Sequence, residues 1–141
     1  MDLSLSYPFT LLHESLRFWI IKRGFLEPTD IQKLAIPRIL EGKNVLLVSP
    51  TGTGKTEAAI FPVISKILEN ESKAKGVQAI YINPLKALTR DLRKRIDRYA
   101  YFVGLRVRPL FGDVNKAFRH PVPEMVIITP ESLEIILDWA P

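Results

Sequence analysis

A short apolar run, a glycine-containing turn and a long amphipathic segment follow one another directly in the first half of the chain. The run covers residues 44–49, and the turn, residues 49–56, reads Ser-Pro-Thr-Gly-Thr-Gly-Lys-Thr. Runs of this kind are typical of a strand that is buried on both faces. Gly52 and Gly54 permit the tight backbone turn that a strand leading straight into a helix requires. We therefore predict a strand over residues 44–49 and a helix over residues 54–69.

The same turn carries the residue types of a phosphate-binding loop. Backbone N–H groups and the positive end of the helix dipole would converge on an anion. Lys55 supplies a mobile charge for the β and γ phosphates, and the Thr56 hydroxyl suits Mg²⁺. Ser49 stands where the usual pattern has Gly, but a small residue still permits the turn. The predicted nucleoside triphosphate site comprises Pro50, Thr51, Gly52, Thr53, Gly54, Lys55 and Thr56, with Lys55 and Thr56 catalytic and Thr56 on the metal.

The alternative interpretation of this segment is an ordinary glycine-rich turn with a surface lysine. It is disfavoured because a strand, two glycines, Gly-Lys-Thr and a helix occur in the required order. The rest of the chain repeats the alternation. Further strands are predicted at 77–82, 106–111 and 125–129, and further helices at 11–22, 30–36, 85–102 and from 130 onward. This pattern predicts a three-layer α/β fold with a mainly parallel sheet and helices on both faces, whose ligands lie at the carboxyl ends of the strands.

Composition narrows the class of protein further. The 141 residues fit one domain, and cysteine is absent, which excludes disulfide scaffolds and thiol chemistry. The only histidines, His13 and His120, do not suggest a metal site. No apolar run approaches the roughly 18 residues of a membrane span, and the N-terminus lacks a signal-peptide pattern. We therefore predict a cytoplasmic protein without a membrane partner.

The positive charge is concentrated in one segment. The chain carries a net charge of +5, whereas residues 86–108 hold eight basic and two acidic residues and therefore sum to +6. A block of this kind indicates a surface that meets an anion or a polyanion. Part of it is a solvated helix face, and we predict phosphate contacts for Lys86 and Arg90 and long-range attraction for the other basic residues.

Residues 24–32, Gly-Phe-Leu-Glu-Pro-Thr-Asp-Ile-Gln, read by themselves as a turn into a helix capped by Thr29. Together with the loop they closely resemble the Q motif of superfamily 2 helicases of the DEAD-box type. Asn83–Leu88 resembles motif Ia of that family, Phe111–Asp113 its Gly-Asp turn, and Ile128–Leu133 its motif Ib. The loop and the Pro-Leu-Lys-Ala-Leu segment look most like the Lhr-type (large helicase-related) branch.

The resemblance implies a RecA-like fold that binds ATP with Mg²⁺. It implies that Gln32 holds the edge of adenine, that Phe25 and Pro28 shape the base pocket, and that Thr29 belongs to the same cluster. An amide donates and accepts, so it matches the N6 and N7 positions of adenine. Either Tyr7 or Phe9 would stack on the base, and the sequence does not choose between them.

The resemblance also implies binding to the backbone of single-stranded or duplex RNA or DNA. Asn83 and Thr129 each read locally as an N-cap followed by proline at the first helical position. A helix N-terminus of this kind also receives a backbone phosphate. The predicted contacts are Pro84, Leu85, Lys86, Arg90, Gly112, Asp113, Thr129, Pro130 and Glu131.

Helicases of this type also need an acidic Asp-Glu box and an arginine finger from a second RecA-like domain. No Asp-Glu pair follows an apolar run in this sequence. We therefore expect the N-terminal part of a first RecA-like domain, truncated before the Walker B strand, with Q-motif helices in residues 1–43 and the phosphate-loop core in 44–141. On this expectation the chain alone hydrolyses ATP poorly. The alternatives are a stand-alone nucleotide or nucleic-acid binding module and, more weakly, another phosphate-loop enzyme such as a small kinase.

Overall fold

The computed structural model describes residues 4–70, 76–110, 119 and 121–139. The chain divides into two compact units, Met1–Glu71 (unit 1) and Ser72–Pro141 (unit 2). Among the described residues, no helix has the length and apolar character needed to cross a membrane.

Unit 1 is helical in its described part. A short 3₁₀ turn at Phe9–Leu11 precedes three helices, α1 (Glu14–Arg23), α2 (Asp30–Leu40) and α3 (Lys55–Glu69). Its core is apolar, and Phe61 of α3 lies edge-on to Trp19 at 6.2 Å between ring centroids. The predicted helix over 54–69 is therefore confirmed to within one residue.

The ends of α1 and α2 follow local rules, with one difference from the prediction. Gly24 ends α1 in the left-handed conformation, at φ +73°. Thr29 and Gln32 form a capping box at the start of α2. The helix does not end at Pro37 but continues to Leu40. Proline removes only one backbone hydrogen bond, and burial of the apolar face of α2 outweighs that loss.

The predicted strand over residues 44–49 is wrong for this structure. Residues 43–50 have no assigned secondary structure, and Leu46 and Val48 are 88% and 80% exposed. A β-strand exists only when its backbone bonds to a neighbouring strand. The apolar run at residues 44–49 indicates a tendency to be extended, but it does not determine whether another strand pairs with it.

The described residues of unit 2 form a parallel sheet and two helices. The strands are β1 (Ala79–Ile82), β2 (Val107–Leu110) and β3 (Met125–Ile128), in the order β1-β3-β2. Helix α4 (Lys86–Phe102) joins β1 to β2, and α5 (Pro130–Trp139) follows β3. Both described strand pairs are parallel, which confirms the predicted sheet type. All four residues of the central strand β3 are buried, as its continuous apolar run predicts.

The parallel register gives the sheet two distinct edges. Ile82 is the register partner of Ile128, so β1 and β3 end side by side, and the Asn83 N–H donates to the Ile128 carbonyl oxygen at 2.8 Å. We call this end, formed by residues 83–86 and 129–131, the carboxyl edge. The opposite end, where Arg106 precedes β2 and Glu124 precedes β3, is the amino edge.

Hydrogen bonds close the amino edge. The Gln78 N–H donates to the Glu124 carbonyl oxygen at 2.8 Å, and the Arg106 N–H donates to a Glu124 carboxylate oxygen at 2.8 Å. The Arg106 guanidinium also donates to this carboxylate, from Nε at 3.1 Å. Burial raises the pKa of Glu124, but the side-chain and backbone hydrogen bonds from Arg106 outweigh burial, and the pKa lies below its ordinary value. Glu124 is therefore a carboxylate that fastens the starts of neighbouring strands.

Candidate functional site

The turn between residues 49 and 54 is held by its own polar groups. Ser49 Oγ lies 2.7 Å from Thr53 Oγ1, and the Thr53 hydroxyl is also 2.7 Å from the Pro50 carbonyl oxygen. Gly52 and Gly54 adopt positive φ angles of +77° and +83°. Ser49, which stands where the usual motif has glycine, thus contributes a side-chain contact that sequence reasoning missed. Its hydroxyl, four residues before that of Thr53, was the available signal.

Lys55 folds back across this turn. It is the first residue of α3, and its ammonium group donates to the Ser49 carbonyl oxygen at 2.6 Å. Thr56 follows in the first helical turn and is partly exposed. One short segment therefore carries the lysine charge, the Thr56 hydroxyl and the amino end of a 15-residue helix. This is a chemically suitable arrangement for a phosphate group.

Gln32 joins this turn to the start of α2. Its Oε1 accepts from the Thr29 N–H at 3.0 Å, and its Nε2 donates to the Gly54 carbonyl oxygen at 3.2 Å. The side chain is only 7% exposed. The two segments singled out in the sequence, 22 residues apart, therefore meet through one amide.

The contact brings the Gln32 and Thr29 side chains close to position 54. A Cβ built on Gly54 would lie 2.5 Å from Gln32 Nε2 and 3.1 Å from Thr29 Oγ1. Gly52 has a similar φ, but a Cβ there would meet nothing within 4 Å. A side chain at position 54 would therefore displace the Gln32 amide as well as adopt a positive φ.

The aromatic candidates near the predicted base pocket differ in accessibility. Phe25 is 59% exposed and stacks on Trp19, with ring centroids 6.3 Å apart, while Pro28 is buried. Tyr7 is 60% exposed, whereas Phe9 is 2% exposed and packs edge-on against Phe61. Of the two aromatics left open by the sequence, only Tyr7 presents a ring to solvent.

In unit 2, the two predicted nucleic-acid motifs lie side by side at the carboxyl edge. Residues 84–86 follow β1 and residues 129–131 follow β3, and these strands are paired. Pro84, Leu85, Lys86 and Arg90 are exposed, as are Pro130 and Glu131, while Thr129 is buried. Arg90 lies one helical turn beyond Lys86 on α4. Gly112 and Asp113 lie outside the described residues.

The helix starts at this edge differ from each other. Thr129 behaves as predicted, because its hydroxyl lies 3.4 Å from the Ser132 N–H, with Pro130 as the first helical residue. Asn83 is not the N-cap of α4, since the helix begins at Lys86 with Leu85 at the cap position. The Asn83 side chain instead accepts from the Leu85 N–H at 3.2 Å, which makes a turn of its own.

Carboxylates and imidazoles do not cluster as a metal site anywhere in the described residues. The Thr56 hydroxyl, in the first turn of α3, is of a donor type that suits Mg²⁺ alongside phosphate oxygens.

Comparison with known proteins identifies relatives of this chain. The sequence model of the DEAD/DEAH box helicase family matches residues 29–140. The ATP-dependent RNA helicase dbp9 of Emericella nidulans is 33% identical over 128 residues, which cover 84% of this chain and 21% of dbp9. The ATP-dependent helicase Lhr-Core of Sulfolobus acidocaldarius is 36% identical, over 77% of this chain and 14% of that protein.

The fold is also shared with a solved structure. The crystal structure of the RNA-helicase Prp28 from Chaetomium thermophilum bound to ADP aligns with a TM-score of 0.79 and 26% identity. The alignment covers 99% of this chain and 35% of Prp28. The α/β architecture with a parallel sheet is therefore that of RecA-like helicase domains, and the chain spans a minor part of each relative's length.

Proposed function

We propose, from the premise that this chain belongs to the DEAD/DEAH box helicase family, that it forms the ATP-binding part of an ATP-dependent RNA helicase. The observation that carries the proposal is the hydrogen bond between Gln32 and Gly54, because it unites the Q-motif segment with the phosphate loop. The relative dbp9 is an ATP-dependent RNA helicase and the structure of the RNA-helicase Prp28 holds ADP, which supports RNA as the nucleic acid and an adenine nucleotide as the ligand.

Residues 50–56 would bind the phosphates of ATP. The backbone N–H groups of the turn and the amino end of α3 stabilise negative charge. The Lys55 ammonium group is already held within the turn and would exchange its bond to Ser49 for one to a phosphate oxygen. Thr56 would hold Mg²⁺, which neutralises charge on the phosphates when bound.

Gln32 would recognise adenine without giving up its protein contacts. An amide nitrogen has two hydrogens and an amide oxygen has two lone pairs, so each can serve Thr29 or Gly54 and a base edge together. Phe25, Pro28 and Thr29 would complete the pocket. We propose Tyr7 as the stacking aromatic, because Phe9 is buried in the core of unit 1.

The carboxyl edge of unit 2 would hold the backbone of one RNA strand. Pro84–Lys86, Arg90 and Thr129–Glu131 would contact successive phosphates, and the Gly112–Asp113 turn would be part of the same surface. Such contacts are sequence-independent. A DNA strand presents the same backbone charge, so the assignment to RNA depends on the relatives' names.

The proposal also covers the longer protein and the place of this chain in it. In the longer protein, a second RecA-like domain and an acidic box would complete hydrolysis, and ATP would close the two domains on the strand. Residues 1–43 would form the Q-motif part and 44–141 the phosphate-loop core, in a cytoplasmic setting. Similarity to Lhr-Core supports membership of the Lhr-type branch.

The test is nucleotide binding by isothermal titration calorimetry with ATP and Mg²⁺. We expect Lys55→Ala to abolish measurable ATP affinity, because the loop loses its only mobile positive charge. Lys66→Ala, in the last turn of the same helix, is the matched control and should bind as the unchanged chain does. Undiminished ATP binding by Lys55→Ala would contradict the proposal.

A further inference from the structure

A groove opens in unit 2 between the second half of α4 and the start of β2. Its volume is about 630 Å³, a size typical of ligand sites. One face of α4 lines it with residues 93, 94, 97, 98 and 101, which recur at helical spacing, and residues 105–108 line the other side. The buried side chains of Leu105 and Val107 form an apolar floor.

The groove lies away from the carboxyl edge. Helix α4 begins beside that edge at Lys86 and runs back against the strand direction, so its last turns lie at the amino edge near Arg106. Its 17 residues at 1.5 Å each make it about 25 Å long. The groove is therefore separate from the proposed strand-binding residues, although both adjoin the same helix.

The groove is strongly basic. Five cationic side chains line it, namely Arg93, Lys94, Arg98, Arg106 and Arg108. Two carboxylates oppose them: Asp97 forms an ion pair with Arg93 at 3.3 Å, and Glu124 pairs with Arg106. Asp97 is the one carboxylate among the lining residues. With Glu124, which pairs with Arg106 from outside the lining, the net charge around the groove is +3. A surface of this kind attracts a polyanion.

An exposed aromatic ring stands beside these charges. Tyr101 is 88% exposed and lies three residues after Arg98 on the groove-facing side of α4. Aromatic rings and arginine planes are the groups on which unpaired bases stack, and stacking is worth about 1–3 kcal/mol per base. Guanidinium groups alone would also suit an acidic peptide, but the exposed ring beside them favours a nucleic acid.

We propose that this groove is a second RNA-binding site, in which Lys94, Arg98 and Arg108 bind phosphates and Tyr101 stacks on a base. The inference rests on the proposed function, because the strand in the groove is a continuation of the one at the carboxyl edge. A fully stacked strand rises about 3.4 Å per nucleotide, so spanning the length of α4 takes at most about seven nucleotides. On this proposal, part of the positive charge after Lys86 binds RNA phosphates in the groove at the amino edge.

The experiment measures binding of a fluorescein-labelled oligouridine to the full chain by fluorescence anisotropy. The oligonucleotide should have about 20 nucleotides, well above the seven or so that the span requires. We expect Arg98→Ala and Tyr101→Ala each to weaken binding about fivefold. Arg95→Ala is the matched control, because it removes one charge from the same helix without lining the groove, and it should change affinity less than twofold. Circular dichroism checks that each variant remains folded.

The outcomes separate this inference from the proposed function. If Lys86→Ala weakens binding while Arg98→Ala and Tyr101→Ala do not, the groove is not an RNA site but the carboxyl edge is. If none of these variants changes affinity, both the groove and the proposed RNA contact at the carboxyl edge fail, while ATP binding is tested separately by calorimetry. If Arg98→Ala and Arg95→Ala lower RNA affinity equally, the basic residues act only by long-range attraction, which overturns the inference. If labelled poly-glutamate binds the unchanged chain more tightly than the oligouridine does and Arg98→Ala removes that binding, the groove is instead a site for an acidic protein, which also overturns the inference.

Discussion

The Gln32 side-chain amide donates a hydrogen bond of 3.2 Å to the carbonyl oxygen of Gly54. Its oxygen accepts from the Thr29 N–H at 3.0 Å, as part of the capping box of α2. One side chain therefore fixes the start of α2 and holds the last residue of the turn before α3. Because both bonds are partly buried, losing either partner leaves a polar group without its hydrogen bond.

Gln32→Glu should lower the free energy of unfolding at pH 7 by about 1–3 kcal/mol. The carboxylate still accepts from Thr29, but it can no longer donate to Gly54 and faces a carbonyl oxygen instead. Burial raises the pKa of a carboxyl group, so protonation at low pH restores a donor and should recover part of the loss. Urea unfolding at pH 7 and in mild acid measures this. Gln32→Ala is the control, since it loses about 1 kcal/mol of capping without recovery in acid.

Gly54→Ala should destabilise the chain more than Gly52→Ala. Both substitutions place a side chain at positive φ, which costs about 1–2 kcal/mol. Only the Gly54 variant also forces a Cβ to within 2.5 Å of Gln32 Nε2, and such overpacking adds about 1–3 kcal/mol. Thermal unfolding of the two variants side by side makes the comparison. If both variants lose the same stability, the Gln32 side chain moves away from the added methyl group without cost.

Glu124→Gln should lower stability at pH 7 by about 1 kcal/mol and flatten the acid limb of the stability profile. Against the effect of burial, the hydrogen bonds from Arg106 lower the pKa of Glu124 in the folded chain. Its stabilisation is therefore complete above the unfolded pKa of about 4.3 and is lost as pH falls through the folded pKa. Chemical unfolding at several pH values between neutrality and strong acid tests this.

Glu41→Gln is the control for that experiment. The hydrogen bond and charge of Lys43 lower the pKa of Glu41, but both side chains are mostly exposed, so its removal should matter less. A Glu124→Gln profile that parallels that of the unchanged chain throughout the acid range would show that the bond to Arg106 adds no stability.

Lys86→Gln should reduce the salt dependence of RNA binding. Each phosphate contact to a single strand contributes about 0.7 to the slope of log affinity against log salt concentration, so the slope should fall by about that amount. Anisotropy titrations over a range of KCl concentrations give the slope. Lys33→Gln removes an exposed cation from α2 and should leave the slope unchanged. A flat salt dependence in the unchanged chain would refute backbone binding at the carboxyl edge.

Much of this fold follows from local sequence. The glycine that ends α1, the capping box of α2, the proline that opens α5 and the alternation of helices with buried strands are all determined within a few residues. Their physical basis is short-range, because caps, backbone conformation and the periodicity of apolar residues act between neighbours in the chain. The parallel sheet type followed from the alternation of strands and helices and is confirmed. The resemblance to DEAD-box helicases came from the motifs and is confirmed at the level of the family, while the Lhr-type branch stays a proposal.

The tertiary structure decided what depends on partners distant in sequence. It joined Gln32 to Gly54 and brought the ends of β1 and β3 together. It left residues 43–50 without a strand assignment despite their apolar run, and made Asn83 a turn residue rather than a helix cap. It also placed basic side chains of α4 and of residues 106–108 in one groove with Tyr101. Each of these features depends on two segments that are distant in sequence. The pattern of one segment alone therefore cannot predict a hydrogen bond, a cavity or a strand pairing with the other.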